Sequence, residues 1–255
     1  LKKLISGIRQ TPCTIRQKHH VFKTLGGTMQ EHFEFNPSYA MLTIAMSPGE
    51  QIKSEPGAMV SMQGCEMSTQ SSGGFLKGLK KMALGGESFF LNTFTAGPAG
   101  GWVSLAPSGP GDVQAYDVSP GRELFIQGGS YLASTVSVET DTKFQGGKAF
   151  FSGEAVFFIR AFTQQESGRV YFNSFGAIKA IPIQPGQTVT VDTGHVVAFE
   201  STVQYTVNKA GGMKSLAFGG EGLVMNFSGQ GTVWIQTRNF SSLVGKLLPF
   251  LPSSR

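Results

Sequence analysis

Glu87, Glu154 and Glu221 are the side chains of this sequence best placed to do chemistry. Each follows a glycine (Gly86, Gly153, Gly220) and precedes an apolar run, and successive Gly-Glu pairs lie 67 residues apart. Gathered round one axis, three carboxylates would offer the several oxygens that a hard cation needs. The same placement suits a structural role, in which a carboxylate accepts backbone N–H bonds at a tight corner that the chain turns three times. The structural role is the simpler expectation, and no metal or cofactor is assigned.

Other reaction centres find little support. The histidines are His19, His20, His32 and His195, with no HExxH pattern and no Cys/His cluster. A cupin-like metal enzyme is therefore disfavoured. No GxSxG elbow occurs, and no GxGxxG follows a strand. Gly146-Gly147-Lys148 lacks the upstream glycine and the following Ser/Thr of a phosphate loop. The chain is expected not to be an enzyme. The best interaction candidates are Lys77, Lys80 and Lys81. They lie largely opposite the apolar helical face of Phe75, Leu76, Leu79, Met82 and Ala83. Such a helix suits a membrane surface, although three lysines at about 1 kcal/mol each are too few for stable anchoring. The plainer expectation is a helix that plugs one end of its own sandwich or contacts another subunit.

The elements that must carry these residues recur three times. Pro48-Gly49, Pro120-Gly121 and Pro185-Gly186 each stand eight residues ahead of another glycine, at Gly57, Gly129 and Gly194. Proline fixes φ and glycine reaches positive φ, so each pair predicts a turn and each following glycine a corner. Gly101-Trp102-Val103, Gly168-Arg169-Val170 and Gly231-Thr232-Val233 open three further strand-like runs. Alternation at Leu124 and Ile126, and at Val189 and Val191, reads as half-buried strand. The stretch 97–111 reads as a long loop, and 243–251 as an apolar segment, helical until Pro249. The spacing divides the chain into an arm (1–28), a β domain of three repeats (29–119, 120–183, 184–240) and a C-terminal apolar segment (241–255). The expected class is all-β: three fused sandwich or double-stranded β-helix-like repeats in a pseudo-threefold arrangement, with short helices.

Composition agrees. Charged residues make up 15%, and the chain holds 34 glycines and 21 phenylalanines. That is well below the roughly 25% charge of ordinary domains, and few charges suit surfaces covered by other subunits. A homo-oligomer is expected, a trimer before other states. Six of the 21 basic side chains sit in residues 1–28 with no acidic one, so the body is near neutral. Nucleic acid is accordingly a disfavoured partner. Cys13 and Cys65 make no disulfide framework and read as free thiols.

With the three units in view, Glu55-Pro56-Gly57-Ala58-Met59-Val60, Ser152-Gly153-Glu154-Ala155 and Gly231-Thr232-Val233-Trp234-Ile235 resemble the altered-inheritance-of-mitochondria (mitochondrial biogenesis) family. The resemblance spans roughly Gln30 to Pro252. It implies an all-β sandwich or β-helix fold, grouped with the tryptophan RNA-binding attenuator protein, and offers no catalytic residue to carry over. It further implies a bacterial cytoplasmic protein without established activity, or a mitochondrial one associated with the inner membrane. The function expected is a structural or scaffolding β protein, with a membrane surface among its partners. The alternative is a β-sandwich module that binds a small ligand or RNA.

Overall fold

The computed structural model describes residues 29–71, 90–144, 157–209 and 223–251. The N-terminal arm, the helix expected around Lys77, Lys80 and Lys81, and the three expected Gly-Glu corners (Gly86-Glu87, Gly153-Glu154, Gly220-Glu221) lie outside those residues. The described residues are mostly β, with 19 strands and one α-helix.

A leading strand, β1 (Gln30–Glu34), is followed by three stretches of six strands. The first holds β2 (Met41–Met46), β3 (Gln51–Ser54), β4 (Met59–Gln63), β5 (Cys65–Ser71), β6 (Phe90–Ala96) and β7 (Gly101–Leu105). The second holds β8 (Val113–Val118), β9 (Leu124–Gln127), β10 (Tyr131–Thr135), β11 (Glu139–Phe144), β12 (Phe157–Phe162) and β13 (Gly168–Asn173). The third holds β14 (Ile178–Ile183), β15 (Val189–Asp192), β16 (Val196–Glu200), β17 (Val203–Lys209), β18 (Leu223–Gly229) and β19 (Gly231–Gln236). A helix, α1 (Phe240–Leu247), and a 3-10 turn (Leu248–Phe250) end the described chain.

One pairing order serves all three stretches. The sixth strand lies between the first and third, and the fifth lies between the second and fourth. Every named strand pairing is antiparallel. Two joints then fuse the stretches: β3 pairs with β10, and β9 pairs with β16. Each joint extends a three-stranded piece into a six-stranded sheet. β8 and β14 pair with β13 and β19, so the six-strand units begin ahead of Pro120 and Pro185.

The proline-glycine pairs do what their chemistry requires. Gly49, Gly121 and Gly186 have φ of 78°, 81° and 81°. The N–H of Glu50, Arg122 and Gln187 donates to the carbonyl of Ser47, Ser119 and Gln184, three residues back. Proline at the second position and a positive-φ glycine at the third make these type II turns. The stretch 97–111 differs from the loop read in the sequence. Its glycines form a tight turn at 97–100, and β7 follows at once, paired to β2 and β4.

The core forms three clusters that cross the joints. Leu132, Ala133 and Tyr171 of the second unit pack with Leu42, Ile52 and Phe94 of the first. Val197 and Ala198 of the third pack with Leu124, Ile126 and Phe172 of the second. Phe199 of β16 stacks on Phe125 at 5.2 Å and meets Phe158 edge-on at 5.0 Å. The third strand of each unit carries a bulge at one position, between Met59 and Ser61, Tyr131 and Ala133, and Val196 and Ala198. The bulged residues are therefore Val60, Leu132 and Val197. Leu132 is wholly buried while Val60 is exposed. Leu132→Ala should lower unfolding free energy by about 2–5 kcal/mol, and Val60→Ala by less than about 0.5 kcal/mol, in urea melts followed by circular dichroism.

Candidate functional site

The corners expected at Gly129 and Gly194 fall in two short 3-10 turns, Gly128–Ser130 and Thr193–His195. Both glycines line one cleft of about 570 Å³. Gly57, their counterpart in the first unit, sits in an exposed turn with φ of 84° and does not line it. The structure thus brings two of the three predicted corners together.

The cleft is walled by side chains of neutral chemistry: the amides of Gln127, Asn173, Gln236 and Asn239, with Phe175 and Phe240 closing one side. The two rings meet edge to face at 5.6 Å. Gln236, the last residue of β19, holds the third-unit corner. Its Nε2 donates to the Gly194 carbonyl at 2.8 Å, and its Oε1 accepts from the Phe175 N–H at 2.8 Å. His195 Nδ1 lies 2.7 Å from the Gln236 carbonyl. Asp192 Oδ1 accepts from the Gly194 N–H at 2.8 Å. Asn239 then caps α1, accepting from the Ser242 N–H at 3.2 Å. A Cβ on Gly194 would lie 2.0 Å from Asn239 Nδ2, so any larger residue here would have to displace the Asn239 side chain. Asn173 ends β13 as Gln236 ends β19. Its side chain is one methylene shorter, and its buried Nδ2 has no partner among the described residues. Such a donor is costly unless something accepts from it.

The larger cluster of ionising groups lies elsewhere. A second hollow of about 490 Å³ is lined by Tyr116, Arg122, Glu123 and Glu200. Tyr116 donates to Glu200 Oε1 at 2.8 Å and accepts from Arg122 Nε at 2.9 Å. Glu200 Oε2 accepts from the Thr232 N–H at 2.8 Å. Burial first, and then the bond to Glu200, push the Tyr116 hydroxyl up to about 12. This network ties β8 and the turn after it to β16 and β19, and serves as a lock across the second joint. Arg160 and Glu123 add an ion pair beside it, with Arg160 Nε donating at 2.6 Å.

No group of three His, Cys, Asp or Glu able to hold a metal occurs among the described residues. Sequence reasoning picked out the corner glycines but missed Gln127, Asn173, Gln236 and Asn239. The signal available was position: Gln236 and Asn173 each fall five residues after the glycines that open β19 and β13.

Fold and cleft together define an all-β protein whose units are fused edge to edge and whose corners frame a neutral, hydrogen-bonding site. Residues 33–238 match the family described as Mitochondrial biogenesis AIM24, and the chain belongs to that family. It is 28% identical over 240 residues to an uncharacterized protein, M6_Spy0233, of Streptococcus pyogenes serotype M6, covering 91% of this chain and 95% of that relative. It also resembles the X-ray crystal structure of protein SPYM3_0169 from Streptococcus pyogenes. That match has a TM-score of 0.72 and 26% identity, and covers 88% of this chain and 100% of that one.

Glu55, two residues before Gly57, stands where Gln127 and Asp192 stand in the other units. Its N–H donates across the first joint to the Leu132 carbonyl at 2.9 Å. Burial pushes its carboxyl from 4.5 up to about 7. A folded value above the unfolded one means stability is complete below about pH 4.5 and is lost as pH rises through about 7. Glu55→Gln should therefore match the native chain at pH 4 and exceed it by about 1–3 kcal/mol at pH 8, read as urea midpoints.

Proposed function

We propose that this protein is a non-enzymatic scaffold that assembles with copies of itself and works through its surfaces. One observation carries this reading. Phe240, Leu243, Leu247, Leu248, Phe250 and Leu251 all stand exposed at the end of the described chain, Phe250 by 84%. An apolar patch of that kind on a β body is a binding surface. The low charge of the chain favours the same conclusion. Light scattering at micromolar concentration is expected to give a mass three times the 27.2 kDa of one chain. A monomer at that concentration would refute self-assembly.

A second reading, a small-ligand module, is favoured by the cleft at Gly129 and Gly194 with the buried Nδ2 of Asn173 beside it, unpartnered among the described residues. Neutral amides and hydroxyls recognise carbonyl and hydroxyl groups rather than ions. Native mass spectrometry of the purified protein should then show a retained neutral molecule that Asn173→Leu loses. Identical spectra for the two proteins would remove this reading.

A further inference from the structure

The two joints inside the chain are made from matching halves, and each half also occurs once without its mate. A joint needs a third strand, as in β10 and β16, and a second strand from the unit before it, as in β3 and β9. The third strand of the first unit is β4, and among the described residues its pairing is with β7. The second strand of the third unit is β15, and its pairing there is with β18. One chain therefore ends in an acceptor edge at β4 and a donor edge at β15.

Burial shows what each edge lacks. In β10 and β16 the first four residues are buried. In β4 all five are exposed, with Met59 at 39%, Val60 at 56% and Met62 at 39%. The shared bulge fixes the correspondence: Met59 stands where Tyr131 and Val196 stand, and Val60 where Leu132 and Val197 stand. All four counterparts are wholly buried. On the donor side, Val189 is half-buried where Ile52 and Leu124 are wholly buried, and Thr190 is exposed. Protein chains commonly blunt a free edge with charge or proline. Met-Val-Ser-Met-Gln in β4 carries neither.

We propose that β4 accepts β15 of a second copy of this chain, antiparallel, extending the joint already made twice within one chain. This rests on the self-assembly reading above and names its contact. The register follows from the internal joints. There the third-strand residue just after the bulge pairs five residues beyond the turn glycine, as Ala133 with Ser54 and Ala198 with Ile126. The next two residues pair at four and three beyond it. Counting from Gly186 gives Ser61 opposite Val191, Met62 opposite Thr190, and Gln63 opposite Val189. The contact is head to tail, so it closes into a ring if the rotation allows and otherwise continues as a fibre. At the second internal joint the pair equivalent to Met62 and Thr190 is Phe199 on Phe125, stacked at 5.2 Å.

Two single-cysteine proteins test the register. One carries Met62→Cys and the other Thr190→Cys, both with Cys13→Ser and Cys65→Ser. Mixed and oxidised with oxidised glutathione, they should give a disulfide-linked dimer at least tenfold more abundant than either protein gives alone. A mixture that cross-links no better than its components overturns the proposal. Val60→Lys with Met62→Lys changes side chains that are already exposed, so the circular dichroism spectrum should be unchanged while self-association weakens at least tenfold. An assembly insensitive to that pair but dissolved by Leu247→Glu with Phe250→Glu would overturn the edge contact and leave the scaffold reading standing. A native chain that is monomeric would overturn both. A Met62→Cys/Thr190→Cys double variant that cross-links only within one chain would place β15 on its own β4 and overturn the intermolecular contact.

Discussion

A strand buried on both faces must satisfy its backbone groups sideways, and this constraint organises the molecule. β10 and β16 sit beneath packed apolar clusters where water does not reach. Each N–H and C=O along them needs a partner, and an unpaired buried group costs about as much as a lost hydrogen bond. The strand's own unit supplies one side, through β13 or β19. The preceding unit supplies the other, through β3 or β9. The units are thus not beads on a linker. The core clusters run across the joints, and Phe199 at the second one touches aromatic rings of both partners.

The corners follow from the same geometry. After the second strand the chain must reverse within a few residues to deliver the third strand into the neighbouring sheet. Gly129 and Gly194 turn it in short 3-10 segments. The residue ending the sixth strand is left facing the corner, and its length decides what happens there. Gln236 reaches the Gly194 carbonyl and closes the third-unit corner, whereas Asn173 stops a methylene short. The cleft between these corners is lined by neutral side chains, and Asp192 beside it holds its own turn. Glu200 lies in the other hollow, where it holds Tyr116 and Thr232 across the joint.

Much of this was legible in the residues. The type II turns were written in three Pro-Gly pairs, since those two residue types fit one turn geometry. The strands opened by Gly101, Gly168 and Gly231 were visible as apolar runs behind a glycine. Leu124 and Ile126 stand two residues apart and are buried on one face, as a strand period of two requires. The helical segment expected from 243 to Pro249 starts earlier, at Phe240, and its α-helix ends at Leu247, with Pro249 inside the 3-10 turn that follows. The strand inside 97–111 was obscured because glycine and proline on either side of it mimic loop composition. Gln236 and Asn173 were invisible as site residues, because a single amide at a strand end carries no motif.

The sequence by itself determined the all-β class and the positions of the Pro-Gly turns, because these depend on φ preferences and side-chain alternation within a few residues. It could not determine which strand lies beside which. β3 ends at Ser54 and its partner β10 begins only at Tyr131, and no local preference encodes a hydrogen bond across such a separation. Tertiary structure alone decided that Leu132 is core while Val60, at the same bulge, faces solvent. The physical reason is that burial belongs to the assembled sheet and to the partner strand that completes it, and not to the residue.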